Sequence, residues 1–297
     1  DAYRVYTDLI MSNFRISKSF NRFTKLQNAY PFNKKLLFDE LKYDKKIKNI
    51  EDIQKTIRSK VIHNSKLIVV GHYACNYYIK KDNDENIVKY YPYYQLITND
   101  YKKDKKKILD ILSKELKEDS SSKRSRRKKS KDIKMKEYHP FSQFFGNHLE
   151  YIYKNNVILK LYDNYNRCVP FRVSNKKLTN FGTVQAVILY LLIDYNYAII
   201  NKVKDEEKNY LTLLVKLINA RNNYLDNKNK SILDNTPFKA FTTECIGEPL
   251  DQIRESRLEG KRRLKAGKKF RFEYFPKGNP GKVPNFKFNN TSGKVIN

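Results

Sequence analysis

The residues best equipped for chemistry lie in 254–297, and the chemistry they offer is the binding of a polyanion. From Lys261 to the last residue the chain carries 11 Lys/Arg against one acid, Glu273. Arg257, Lys261, Arg262, Arg263, Lys265, Lys268, Lys269, Arg271, Lys277 and Lys282 supply cations for phosphates. Phe270, Phe272, Tyr274 and Phe275 interleave with them as rings that can stack on bases, and Gly267 and Gly278 let backbone approach closely. Mutual repulsion keeps such a stretch extended until a polyanion neutralises it. A second basic run, 120–136, holds nine Lys/Arg and one acid, Asp132, with Lys123, Arg124, Arg126, Arg127, Lys128 and Lys129 at its centre. It reads as an exposed loop that contacts RNA or serves as a nuclear-localisation patch. A solvated tail and a flexible insertion are the plainer readings of the two segments.

Catalytic sets are weaker. His63, His72, His139 and His148 show no HxxxH or HExxH spacing, and Cys75, Cys168 and Cys245 lie far apart with no CxxC pair. This argues against a disulfide framework or a zinc site and for a reducing compartment. The chain has no GxxxxGK[ST], GxGxxG or GxSxG motif. Asp82, Asp84 and Glu85 read as turn formers. Asp194, Asp205, Glu206 and Glu207 could hold Mg²⁺ in a nuclease, but acids at a helix start are the commoner meaning of such a cluster. The expectation is a non-enzyme with no cofactor, no metal and no small-molecule substrate.

A formal charge of +29 selects nucleic acid or an anionic surface as partner. Lys, Asn, Tyr, Ile and Phe all use A/T-rich codons, so part of that charge reflects genome composition. Codon bias does not explain the near absence of acids after Lys261. No apolar run approaches the roughly 18 residues of a membrane span; Val187 to Ile193 covers seven.

The elements that must position these residues form an α+β body. Residues 1–48 read as a basic arm with short helices, 49–235 as the body with 119–136 as its basic loop, and 236–297 as a connector and extended tail. Ile50, Ile53 and Ile57 mark a short helix. Residues 66–80 and 87–97, rich in apolar residues and Tyr around a polar turn, predict an antiparallel hairpin with contacts among Tyr73, Tyr77, Tyr91 and Tyr93. Residues 103–118 predict an amphipathic helix. Short strands follow over 138–173, with a turn at Asn155-Asn156, giving a small antiparallel sheet of four or five strands. A helical hairpin over 179–225 starts at Thr179 or Asn180, and its second helix begins at Asp205, Glu206 and Glu207.

On its two basic segments, 120–136 and 254–297, the chain resembles organellar ribosomal proteins as a class. Arg257 to Leu264 is also similar to the C-terminal part of a mitochondrial small-subunit ribosomal protein, without that family's glycine pattern. The resemblance implies a structural RNA-binding protein of a mitochondrial ribosome, located in the matrix or else in another organelle or the cytoplasm. Its partners would be rRNA and neighbouring ribosomal proteins. Irregular basic arms on a small body suit folded RNA, which is read largely by shape and phosphate. The alternative is a nucleic-acid-acting enzyme, nuclease-like, or a viral nucleic-acid packaging protein.

Overall fold

Within the apolar run Leu67–Val70, Ile68–Val70 forms a central strand, and the fold is built outward from it. The computed structural model describes residues 50–82, 92–118, 133–140, 146–164, 169–174 and 178–239, with short pieces at 25, 29, 245–246, 261, 264–267 and 295–296. Its elements are α1 (Ile50–Thr56, continued by a π-helical stretch Ile57–Ile62), β1 (Ile68–Val70), α2 (Gly71–Ile79), β2 (Tyr94–Thr98) and α3 (Tyr101–Glu118). There follow β3 (Ile133–Tyr138), β4 (His148–Tyr153), β5 (Asn156–Asp163), β6 (Val169–Ser174), β7 (Thr179–Gly182), α4 (Val184–Ile200), α5 (Lys204–Asn227) and β8 (Cys245–Ile246).

The architecture is α+β, as expected, but the sheet is larger and mixed. Its order is β3-β4-β5-β2-β1-β7-β6-β8. β2 runs parallel to β5 and β1 parallel to β7, while the other neighbours are antiparallel. On one face Val69, Tyr94, Leu96, Leu149, Tyr151, Leu159 and Leu161 pack against Ile57 and Val61 of the π-helical stretch and against Ile108 and Leu112 of α3. On the other, Ile68, Val70, Ile97 and Tyr162 meet Tyr190 of α4. The two-residue alternation along each strand sorts these sets.

The hairpin expected over 66–80 and 87–97 does not form. Residues 68–70 do pair antiparallel with 95–97, but the chain leaves the sheet at Gly71 and returns through α2. Gly71 holds φ +66°, which ends the strand, and the next eight residues bury Ala74, Cys75, Tyr78 and Ile79 along a helical face. The aromatic contacts change accordingly. Tyr73 meets Tyr94 edge-on at 5.3 Å, and Tyr77 stacks on Phe181 at 4.2 Å. Tyr91 and the acids Asp84 and Glu85 lie outside the described residues.

The β4–β5 hairpin does form. Its turn is centred one residue earlier than expected, on Lys154 and Asn155, both at positive φ (47° and 63°), the signature of a two-residue turn matched to strand twist. Thr179 and Asn180, expected to cap the first long helix, lie in β7. Thr183 caps α4 instead, its side chain accepting from the Ala186 N–H at 3.5 Å. Val184–Leu191 is buried all round, as its sequence implies. Asp205, Glu206 and Glu207 occupy the first turn of α5, where the helix dipole favours acids.

Candidate nucleic-acid interface

Most of the expected phosphate ligands fall outside the described residues: Lys123, Arg124, Arg126, Arg127, Lys128 and Lys129 with the rest of 119–132, and Arg257, Arg262, Arg263, Lys268, Lys269, Arg271, Lys277 and Lys282. The last four residues of the expected 119–136 loop are not loop but the start of β3. Lys261 and Lys265 are described, and both are exposed. The far end of the tail returns to the body. Val295 bridges Tyr138 antiparallel, and the Ile296 N–H donates to the Glu137 carbonyl at 2.8 Å, along the edge strand β3.

The acids considered for Mg²⁺ do not converge. Asp194 is buried and accepts from Gln95 Nε2 at 2.5 Å and from the Tyr162 hydroxyl at 3.5 Å. Glu206 is exposed on α5. Among the described residues no three of His, Cys, Asp or Glu group so as to hold a metal ion. Asp194 belongs to a buried polar layer under α4. Burial pushes its carboxyl up to about 6, against the opposing effects of Lys160 and its hydrogen bonds. In the same layer Lys160 Nζ lies 3.4 Å from Glu150 Oε1 and 4.5 Å from the Tyr93 ring centroid. Burial works against the charge on Lys160, and Tyr93, Tyr162, Glu150 and Asp194 together overcome it and hold its pKa above the usual range. His72 and Cys75 are equally structural. Burial lowers His72 to about 3, with Lys160 adding to the effect, and drives the Cys75 thiol well above its ordinary range, so neither is a poised base or nucleophile.

A surface site lies at the opposite face of the sheet, where β1 begins, β2 ends and α3 starts. The turn after the π-helical stretch places Asn64 at φ 56° and fixes Ser65, whose hydroxyl donates to the Ile62 carbonyl at 2.8 Å. At the end of β2 the Asp100 N–H donates to Thr98 Oγ1 at 3.0 Å, and the Thr98 hydroxyl donates to Asp104 Oδ2 at 2.5 Å. Asp100 Oδ1 accepts from the Lys103 N–H at 3.4 Å, which closes the helix start. Between these parts is a cleft of about 400 Å³. Val61, Leu67, Ile108 and Ile111 form its apolar walls, and the exposed Lys66, Lys103 and Lys107 stand at it.

This cluster was missed in the sequence because 103–118 explained itself as an amphipathic helix. A signal was present. Lys102, Lys103, Lys105, Lys106 and Lys107 fill the first two turns of α3, the end of a helix where the dipole disfavours cations. Lys102 and Lys103 break the rule in the first turn, and a local inconsistency of this kind is expected at functional sites.

Comparisons with known proteins decide between the two readings of the charge. Residues 24–297 match the family described as "APMV, Putative poly(A) polymerase, catalytic subunit, C-terminal". The chain is 28% identical over 329 residues to the "Putative poly(A) polymerase catalytic subunit" of Acanthamoeba polyphaga mimivirus, covering 95% of this chain and 53% of that protein. The chain thus spans about half the length of the curated relative it matches. The crystal structure of the Megavirus polyadenylate synthase has the same fold, with a TM-score of 0.81 at 24% identity, covering 100% of this chain and 62% of that one. The ribosomal resemblance is overturned, and with it the mitochondrial location, the ribosomal partners and the expectation of a non-enzyme. Basic segments report a polyanion partner, and charge alone does not distinguish a ribosomal protein from an enzyme that handles RNA. The alternative, a nucleic-acid-acting enzyme, fits the match over 24–297. By that match, the chain belongs to the family of the C-terminal region of the APMV poly(A) polymerase catalytic subunit.

Proposed function

We propose that this chain is the RNA-holding part of an enzyme that builds poly(A). The observation that carries the reading is the family match over residues 24–297. In such a reaction the 3′-hydroxyl of an RNA attacks the α-phosphorus of ATP. A phosphodiester bond forms, the bond to the β-phosphate oxygen breaks, and pyrophosphate leaves. The enzyme therefore takes a nucleotide as well as RNA, in place of the expected lack of a small-molecule substrate.

The contribution of this chain is grip. A net charge of +29 and the lysine-rich start of α3 support it. In this reading Lys123, Arg124, Arg126, Arg127, Lys128 and Lys129 in the loop, and Lys261, Arg262, Arg263, Lys265, Lys268, Lys269 and Arg271 in the tail, neutralise phosphates without reading sequence. Such a grip suits a product whose length keeps changing.

The test is fluorescence anisotropy of the purified chain with labelled oligo(A) RNA across a salt series. Affinity should fall steeply with salt, with a slope of about 0.7 per phosphate contact. In a polymerase carrying this chain, alanine at Lys261, Arg262 and Arg263 should raise KM for the RNA primer and leave kcat unchanged. No RNA binding at low salt would overturn the reading.

A further inference from the structure

We propose that the cleft between the start of β1, the end of β2 and the start of α3 seats one nucleotide of single-stranded RNA, with Lys66, Lys103 and Lys107 on its phosphates and Ile111 against its base. The inference rests on the reading of the chain as RNA-binding and gives that function a specific place.

The charge pattern points to an anion. Three lysine side chains stand at one cleft, and among the described residues none of them has an ion-pair partner. The two acids of the cleft are held in place by uncharged donors and keep their charge, so the cleft sets three cations against two anions. Asp104 accepts from the Thr98 hydroxyl, and Asp100 accepts from the backbone of α3. Lys102 and Lys106 extend the positive field along the exposed side of the helix. Lys105 is already paired with Glu137 and Asp104 sits in the first turn, but Lys102 and Lys103 stand where the helix dipole disfavours cations, and a phosphate would relieve that repulsion.

The cleft also has the size and chemistry for more than a phosphate. About 400 Å³ lies within the range of small-ligand sites. Val61, Leu67, Ile108 and Ile111 give part of its wall an aliphatic surface for a base, while Asn64, Ser65, Thr98 and Asn99 make other parts polar. In one wall Asn99 accepts from Asn164 Nδ2 at 3.0 Å through its Oδ1, while its own Nδ2 has no partner among the described residues. That nitrogen is buried in the wall, and it meets a base or sugar oxygen once the Asn99 side chain turns toward the cleft. The position fits as well. β2 and β5 are parallel, and the cleft adjoins the carboxyl end of β2, where parallel sheets commonly place their ligands. The lysines are exposed and irregularly spaced, which suits a strand that slides past more than one that is clamped.

The experiment uses the full chain and a labelled oligo(A) RNA of about 15 nucleotides, enough to span a single-strand site. A K66A/K103A/K107A variant should lose affinity about 100-fold at 0.1 M salt, and its salt slope should be shallower by about 2, at about 0.7 per contact. A K202A/K204A/K230A variant, which removes the same charge from exposed positions at the ends of α5, should change affinity less than about threefold. RNA carrying 4-thiouridine should cross-link within residues 99–111. If both triple variants weaken binding equally, or if cross-links fall only elsewhere, the cleft is not the seat, although the chain remains an RNA binder. If the unaltered chain fails to bind RNA at low salt, the cleft proposal and the functional reading fall together. An acidic protein competing for the cleft with higher affinity than RNA would also overturn the assignment.

Discussion

Gln95 Nε2 donates to Asp194 Oδ2 across 2.5 Å, which ties the centre of the sheet to the middle of α4. The same amide nitrogen lies 2.9 Å from the Tyr162 hydroxyl. A glutamine that is fully buried and a carboxyl that burial holds near 6 thus form one hydrogen-bonded unit through the amide nitrogen, while Gln95 Oε1 has no partner among the described residues. The unit is adjacent to a charge, Lys160, that stays paired with Glu150. Removing any member exposes the cost of keeping the others dry.

Asp194 makes the first prediction. Its pKa of about 6 in the fold exceeds the unfolded value of about 3.9, so the folded protein binds this proton more tightly. Its contribution is therefore most favourable at low pH and is lost as pH rises through 6. Relative to Asp194→Asn, the unaltered protein should gain about 1 kcal/mol between pH 7 and pH 5. Urea unfolding at the two pH values reads this directly; a relative loss on acidification would contradict the assignment.

The histidines act with the opposite sign. Burial first, then Lys160, lowers His72 to about 3 and His148 to about 4, both below the unfolded 6.5. The unfolded chain takes up these protons first, so the stability they carry is full above about pH 6.5 and falls as pH drops toward 4. Each should cost about 2 kcal/mol between pH 7 and pH 5, which outweighs the gain from Asp194. His148 stacks on Tyr138 at 4.6 Å and on Tyr162 at 5.7 Å. His148→Phe keeps a ring there and should remove about half of the histidine-driven acid sensitivity, seen as a flatter plot of unfolding midpoint against pH.

Gly71 is the hinge between β1 and α2. A Cβ at this position would lie 1.8 Å from Gln95 Oε1 and 3.2 Å from Gln95 Cβ, and the backbone already sits at φ +66°. The Gln95 side chain cannot swing aside without giving up Asp194 and Tyr162. Gly71→Ala should therefore cost about 2–4 kcal/mol. In a Gln95→Ala background Gly71→Ala should cost less than in the unaltered chain, because the overlap goes while the strained φ remains. Thermal melts of both single variants and the double variant separate the two contributions; an equal loss in both backgrounds would mean that the overlap is not what matters.

What the sequence made legible follows the strength of each local pattern. α3 and α5 announce themselves by helical period and α4 by all-round apolarity, and β4–β5 by alternation around the Asn pair. α2 does not, because His72 to Ile79 is Tyr-rich and suits a strand as well as a helix; Gly71 and the burial of Tyr78 against Gly182 decide it. The parallel pairings of β2 with β5 and β1 with β7 join segments far apart in the chain, and no local signal carries them. At the interface, the basic tail drew attention by composition alone. The α3 lysines did not, since an apolar stripe through Ile108 and Leu112 already accounted for the helix.

Lys160 supplies the last test. Its side chain is 12% exposed and that of Glu150 13%, so the pair is held almost wholly out of water. Attraction in such a place roughly offsets desolvation while both partners are present, but a lone survivor is costly. Lys160→Met removes the cation from Glu150, which keeps the hydrogen bond that the Tyr138 hydroxyl donates to its Oε2 at 2.8 Å, and also takes the cation from beside Asp194 and Tyr93. It should destabilise the fold by about 3 kcal/mol. Glu150→Gln alone should cost less, because Asp194 still faces the ammonium. The Lys160→Met, Glu150→Gln double variant should be more stable than Lys160→Met alone, since the Glu150 carboxylate no longer has to be kept from water without its cation. A double-mutant cycle by urea unfolding measures this coupling; strictly additive losses would show that the two residues do not depend on each other.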